Sequence, residues 1–264
     1  MFEPTVREGV LRLRRPGTRW LSTGWDGGRS RASAAYNVTV PEGFDRTDLG
    51  AYRRERLARS GFIGGGDAGE REATDAAADD APPTLFTGVS MDHARGARLG
   101  SVVAYATVGL SNPAMLPIET EATPTPAETA ERSGAAAADT PTADDRPNRP
   151  GTVNLIVGTT RRLEPGAAAN LVAVAAEAKA ATLLATAGVP GTTSDAVVVA
   201  DDPKGTATEF SGSATAVGGA ARACVRDAVR ASLRSRYPDG DVPGPAAEAE
   251  HGVVTDERAE VFDP

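Results

Sequence analysis

The sequence is poor in the residues that build covalent or metal frameworks. Its single cysteine, Cys224, excludes an internal disulfide and fits a reducing compartment. Two histidines, His93 and His251, are too few even with that cysteine to close a zinc site. Lysine occurs only as Lys179 and Lys204, and aromatic residues are 5% of the chain. None of them is interleaved with the arginines near the C-terminus, so the stacking surface of a nucleic-acid binder is not expected. No apolar run reaches the ~18 residues of a membrane span, because Glu177, Lys179 and turn glycines interrupt the candidates. The opening MFEPTVREGV lacks the basic-then-apolar order of a signal peptide. These absences predict a cytoplasmic protein without membrane or nucleic-acid partners.

What is present divides unevenly. The net charge of −8 is concentrated in three stretches: 67–80 carries −5, 119–149 carries −4 and 239–264 carries −7, which leaves +8 on the rest of the chain. Acidic stretches rich in Ala, Pro and Thr bury too little apolar surface to offset the entropy of ordering. The organisation expected is one folded domain over 1–238, with a low-complexity loop at 64–83, a flexible insertion at 119–149 and a disordered acidic tail at 239–264. The scarcity of lysine beside abundant arginine, alanine and acid resembles the usage of salt-adapted or high-GC microbes and leaves function open.

Along the folded part, VLRLRRPGTRW alternates apolar and basic residues and predicts a hairpin turning at Pro16-Gly17. A glycine-rich loop, LSTGWDGGRS, leads to the strand AAYNVTV. Asp45 or Thr47 caps a helix through LGAYRRERLARS that stops at Gly61. TLFTGVSMD and SVVAYATVGL read as an antiparallel pair joined by a connection that carries His93. GTVNLIVGTT and AVVVA are apolar strands on either side of a long helix that begins near Pro165 and ends at Gly188. A last helix runs to about Arg236, with Val217, Cys224, Ala228 and Ala231 inward and Arg222, Arg226, Arg230 and Arg234 as a solvated stripe. The fold class is α+β: a mixed, largely antiparallel sheet of at least six strands packed by about three helices.

Polar residues in the central stretch mark the candidate chemistry. Asp195 stands at the mouth of the apolar strand, either as a turn-stabilising carboxylate or as a base beside Thr192, Thr193 or Ser194. Helical geometry places Asn170 and Glu177 within about 20° of each other and Lys179 roughly 200° from Glu177. Glu177 is thus either a solvated acid or a partly buried one. The segment from Gly212 to Thr215 opens the last helix, where backbone N–H groups favour an anion or a carbonyl. It lacks the Gly-Lys-Ser/Thr of a phosphate loop.

These residues, taken in order, resemble the adenosylcobinamide amidohydrolases. The resemblance rests on Thr107-Val108-Gly109-Leu110-Ser111-Asn112, Gly151-Thr152-Val153-Asn154 and Glu177-Ala178-Lys179. It continues through Gly191-Thr192-Thr193-Ser194-Asp195-Ala196 into Val197 to Ala200 and the Gly212 to Gly218 segment, with Ser22 to Gly28 and Tyr36-Asn37-Val38 as its N-terminal pieces. It spans about residues 20–236. The departures are the 119–149 insertion and Pro190, where smaller residues are more usual. The resemblance implies hydrolysis of the amide joining aminopropanol to the corrin side chain of adenosylcobinamide, releasing adenosylcobyric acid for cobamide synthesis. The corrinoid is then substrate, and no cofactor is expected.

Amide hydrolysis needs a nucleophile, a base, oxyanion donors and an acid for the leaving amine. The catalytic candidates are Asp195 or Glu177 activating a water, a hydroxyl of Thr192, Thr193 or Ser194 as the alternative nucleophile, and Lys179 positioning a carboxylate or protonating the amine. Asn154 and the backbone of Gly191 and Thr192 are candidates for the oxyanion, with Asn112, Asn170 and Gly212 as further substrate-binding positions. Two other readings stay open: cleavage before Thr192 to expose an N-terminal nucleophile, and a corrinoid-binding protein that does not cut its ligand.

Overall fold

The computed structural model describes residues 2–63, 80–117, 151–240, 242 and 252–263. The whole 119–149 insertion, residues 64–79 of the 64–83 loop, and His251 lie outside the described residues. The strands are β1 (Glu3–Arg7), β2 (Val10–Ser22), β3 (Gly28–Thr39), β4 (Thr84–Thr87), β5 (Arg95–Leu99), β6 (Val102–Val108), β7 (Pro113–Met115), β8 (Val153–Thr159), β9 (Arg162–Leu163), β10 (Gly191–Thr192), β11 (Ala196–Asp201), β12 (Ala207–Thr208) and β13 (Val253–Val254). The helices are α1 (Leu49–Arg59), α2 (Pro165–Ala187) and α3 (Ala216–Arg236). Eight strands form the main sheet in the order β4-β3-β2-β11-β8-β6-β5, with β1 beside β2. Only β11–β8 and β3–β4 pair in parallel, so the sheet is mixed and largely antiparallel, as the pattern predicts.

The three central strands β6, β8 and β11 are buried along their whole length. One of their faces meets α2 and α3 through Leu155, Val157, Val199, Leu171 and Val225. The other packs into a core of Phe2, Leu13, Trp20, Leu85, Tyr105 and Val198, drawn from both halves of the sheet. The sheet therefore curls on itself: Asn37 on β3 hydrogen-bonds Asn154 on β8 and Thr107 on β6, although two strands separate β3 from β8 in the ladder. Burial on both faces is why these strands are continuous apolar runs without alternation. A third cluster, with Val38, Tyr52 and Leu57, seats α1 on the outside of β2 and β3.

Helix α2 begins with Pro at its first turn and ends at Gly188 in the left-handed conformation (φ 71°), as expected. An 18-residue window of α2 has mean hydropathy 1.4, higher than the interrupting charges suggest, and 44% of that window is buried. The helix packs on β11 and α3, which accounts for its apolar character. Cys224 is buried in α3, and burial pushes its thiol pKa up. A thiol reagent at pH 8 is expected to leave Cys224 unmodified in the native protein and to modify it stoichiometrically in denaturant, measured by intact mass; fast native labelling would contradict this packing.

Several local expectations are corrected. Pro16-Gly17 does not close a hairpin: β2 runs straight through, with a register shift against β3 between Arg14 and Thr18. The bulge accommodates a residue without a ladder N–H, and Thr18 Oγ1 ties it by donating to Arg15 O at 2.7 Å. The hairpin lies instead at the glycine-rich loop, where Ser22 pairs with Gly28. Asp48, not Asp45 or Thr47, caps α1 by accepting from Ala51 N at 2.8 Å. β4 pairs in parallel with β3 at one sheet edge, while β6 pairs antiparallel with β8 and with β5, the latter inside the stretch expected to be a connection. The tail contains order: β13 lies parallel beside β7, and Thr255 N donates to Met115 O at 2.9 Å.

Candidate active site

The C-terminal end of β6 and the N-terminal ends of β8 and β11 share one edge of the sheet, because β6 runs antiparallel to β8 while β11 runs parallel to it. Three loops from the sequence motifs meet there. Gly109 N donates to Thr152 O at 3.1 Å, and Thr193 N donates to Asn112 O at 3.1 Å. The approach is close: a Cβ on Gly151 would stand 2.6 Å from Ser111 N and 2.8 Å from Asn112 N.

Asp195 organises this junction. Its Oδ1 accepts from Val153 N at 2.9 Å and from the Thr192 hydroxyl, and its Oδ2 accepts from Thr192 N at 3.1 Å and from Lys179 Nζ. An ionised carboxylate offers about four acceptor positions, and all four are filled. The Lys179 and Asp195 side chains are each 12% exposed. Gly191 fits beneath them because it has no side chain: its Cβ would lie 2.4 Å from Asp195 Oδ2 and 2.6 Å from Lys179 Nζ. Lys179, Gly191, Thr192 and Asp195 are thus brought together, with Asp195 as the tie of the turn.

Next to Asp195, the exposed Ser194 pairs its hydroxyl with that of buried Thr152 at 3.0 Å. These two hydroxyls line a cleft of about 160 Å³ whose other walls include Val40, Phe44, Arg46, Leu49 and Phe86. Behind it runs a buried amide relay: Asn154 Nδ2 donates to Asn37 Oδ1 and to Phe86 O, each at 3.0 Å, and Asn37 Nδ2 donates to Thr107 Oγ1 at 2.9 Å. Two acceptors facing Nδ2 fix the orientation of the Asn154 amide. Its NH₂ is thus engaged within the relay, so a role for Asn154 toward an oxyanion would require one of these bonds to be given up.

Other candidates are separated from this junction. Glu177 points outward from the middle of α2, with its side chain 64% exposed, and meets Arg222 at 3.3 Å. The helical angle that divides it from Lys179 decides between its two readings in favour of the solvated acid. Asn170, near the start of α2, donates to Ser211 Oγ at 3.1 Å, and Gly212 follows Ser211 at the opening of α3. Both sit toward the N-terminal end of α2, away from the Lys179–Asp195 contact. Thr193 is exposed and contributes its backbone N–H to Asn112, which is buried. A larger groove, about 590 Å³, runs between α2 and α3 along Ala178, Ala181, Thr182, Arg222 and Arg226, but none of the converging hydroxyls lines it.

Residues not singled out by sequence reasoning complete the site. Asn37, Thr107 and Thr152 lie within the resembling motifs, and an Asn inside an apolar strand is the signal that marks the first. Trp25, Phe44, Tyr52 and Phe86 form an aromatic wall, with ring centroids 5.9 Å apart for Trp25–Phe86, 6.0 Å for Tyr52–Phe86 and 4.7 Å for Phe44–Tyr52. Their separation in sequence hides that convergence.

The curled α+β domain thus presents a hydroxyl-lined cleft, with the Lys179–Asp195 pair next to it and an aromatic wall at its side, and the comparisons with known proteins place it among the amidohydrolases. The family model for adenosylcobinamide amidohydrolase matches residues 3–240. A curated protein of Halobacterium salinarum, named adenosylcobinamide amidohydrolase, is 52% identical over 264 residues, covering 100% of both chains. The chain belongs to the adenosylcobinamide amidohydrolase family. Among solved structures, the PH0078 protein from Pyrococcus horikoshii OT3 is similar over 88% of this chain and 79% of its own, with a TM-score of 0.43 and 11% identity, a likeness too distant to carry an argument.

Proposed function

We propose that this protein hydrolyses the amide between aminopropanol and the corrin side chain of adenosylcobinamide, yielding adenosylcobyric acid for cobinamide salvage in the cytoplasm. The corrinoid is its substrate, and the reading invokes no further cofactor, nucleic acid or membrane. The observation that carries it is the convergence of the family's loops on one cleft, with Ser194 and Thr152 at its floor and Asp195 directly behind.

In this reading a water seated on the Ser194–Thr152 pair attacks the amide carbonyl, and Asp195 takes its proton. The filled carboxylate opens by turning one hydroxyl. Of its four donors, two are backbone N–H groups fixed by the fold and one is the Lys179 ammonium, whereas the Thr192 hydroxyl is a rotor. Releasing a neutral hydrogen bond costs about 0.5–1.5 kcal/mol net, small beside the ~3–5 kcal/mol that a general base supplies. Lys179 holds Asp195 in place and is the proton donor to the departing amine.

The saturation of Asp195 is also the one observation that favours the second reading, a corrinoid-binding protein without hydrolysis. Incubation with adenosylcobinamide and product analysis separate the two. Free aminopropanol and adenosylcobyric acid in equal amounts are expected; tight binding with intact ligand would leave only the second reading.

A further inference from the structure

Trp25 lies in the glycine-rich hairpin loop between β2 and β3, outside the set of polar residues that suggested chemistry. It is 36% exposed, a large aromatic surface to leave on a loop. Its position is nevertheless fixed. Thr23, two residues before it, exchanges hydrogen bonds with Val197 at the start of β11, with Thr23 N donating to Val197 O at 3.0 Å and Val197 N donating to Thr23 Oγ1 at 2.9 Å. Gly24 is pressed against Leu85 and Ala196 so closely that a Cβ there would fall 2.5 Å from Leu85 Cδ2. Asp26, immediately after, adopts positive φ (51°), which turns the chain back into β3.

The loop so held sets the indole beside the cleft. Trp25 contacts Phe86, a cleft wall, with centroids 5.9 Å apart, and its Cη2 lies 3.8 Å from the Cβ position of Gly50, the neighbour of the wall residue Leu49. The Arg53 guanidinium stands over the ring at 5.6 Å from its centroid. An exposed cation–π contact is weak and reversible, whereas a purine base on an aromatic face gains more. Arg53 is thus a displaceable cover that remains available to the ligand as a donor.

Resting on the reading of adenosylcobinamide as substrate, we infer that Trp25 is the platform for the adenine of the upper ligand, and that it sets the preference for the adenosyl form over corrinoids with a small upper ligand. The corrin periphery is crowded with methyl and amide groups and offers no clean π-face, while the adenine is planar and unhindered. The cleft itself, about 160 Å³, holds the amide arm alone, so the bulk of the ligand rests on the surface that Trp25, Phe86 and Phe44 present. Trp25 acts in binding and takes no part in bond cleavage.

The test is equilibrium dialysis of adenosylcobinamide and dicyanocobinamide, followed by corrin absorbance, on the full chain with turnover slowed by Asp195→Asn, carrying wild-type Trp25, Trp25→Ala or Trp25→Phe. The form with wild-type Trp25 is expected to hold the adenosyl ligand about tenfold tighter. Trp25→Ala should abolish that difference by weakening the adenosyl form alone, and Trp25→Phe should restore most of it. Equal weakening of both ligands, or a preference that survives Trp25→Ala, would overturn the inference, as would the absence of a preference with wild-type Trp25. Parallel turnover assays with Asp195 in place keep the two readings apart: an intact binding preference with no aminopropanol release sinks hydrolysis and leaves the platform standing. In those assays Trp25→Ala should raise KM about tenfold for the adenosyl substrate with kcat unchanged.

Discussion

Replacing Asp195 with asparagine is expected to lower the melting temperature by about 10 °C and the turnover of adenosylcobinamide by about 10²–10⁴-fold. The stability loss follows from what remains. Lys179 keeps its ammonium in a pocket where its side chain is 12% exposed, and its carboxylate partner is gone. Removing one partner of a buried pair costs about 3–5 kcal/mol, and each kcal/mol moves the melting point of a domain of this size by about 2–4 °C. The new amide also turns an NH₂ toward groups that themselves donate, Val153 N or Thr192 N. The turnover loss is the usual range for a missing general base.

The reverse replacement, Lys179→Met, should cost less, because Asp195 retains three donors from Val153 and Thr192. Combining the two should be milder in stability than Asp195→Asn alone, since no uncompensated charge is left buried. Activity should not return with stability. Thermal unfolding of the four proteins measures the coupling directly; strictly additive losses would show that the Lys179–Asp195 contact is energetically idle.

The elements that sequence reasoning placed well are those whose signals are local. Pro165 and Gly188 bracket α2 because each has a backbone property that only a helix terminus uses. The run AVVVA could only be a buried strand, and Asp195 before it had to stop in a turn. Pro16-Gly17 misled because a β-bulge and a hairpin turn share the same two residues, and only the partner strand distinguishes them. The curl of the sheet was not legible at all. It brings Asn37 to Asn154 across 117 positions of sequence, and nothing in either neighbourhood encodes the other. At the candidate site the Gly191 to Asp195 turn has a local signal, hydroxyls before an apolar strand, whereas periodicity cannot tell whether Glu177 faces outward or inward, and the members of the aromatic wall stand too far apart in sequence to be read together.

Gly151 tests whether the junction of loops, beyond any one side chain, makes the site. Two glycines there tolerate no Cβ, but their obstacles differ. At Gly191 the nearest atoms are Asp195 Oδ2 at 2.4 Å and Lys179 Nζ at 2.6 Å. The lysine end is flexible but the nearer Asp195 carboxylate is tied to Val153 and Thr192, so Gly191→Ala must displace both and should cost more than Lys179→Met. At Gly151 the nearest atoms are Ser111 Oγ at 2.2 Å and then backbone, Ser111 N at 2.6 Å and Asn112 N at 2.8 Å. Backbone cannot swing aside, and Asn112 O holds Thr193 N at 3.1 Å, so displacement of the 111–112 segment pulls on the turn that carries Ser194. Gly151→Ala is therefore expected to cost about 1–3 kcal/mol in stability and at least 100-fold in kcat/KM. Ser111→Ala in the same background removes the hydroxyl but leaves both N–H groups in place, and should rescue little. Full recovery of kcat/KM in the double variant would mean that a side chain, and not the packed backbone of the junction, sets the geometry of the cleft floor.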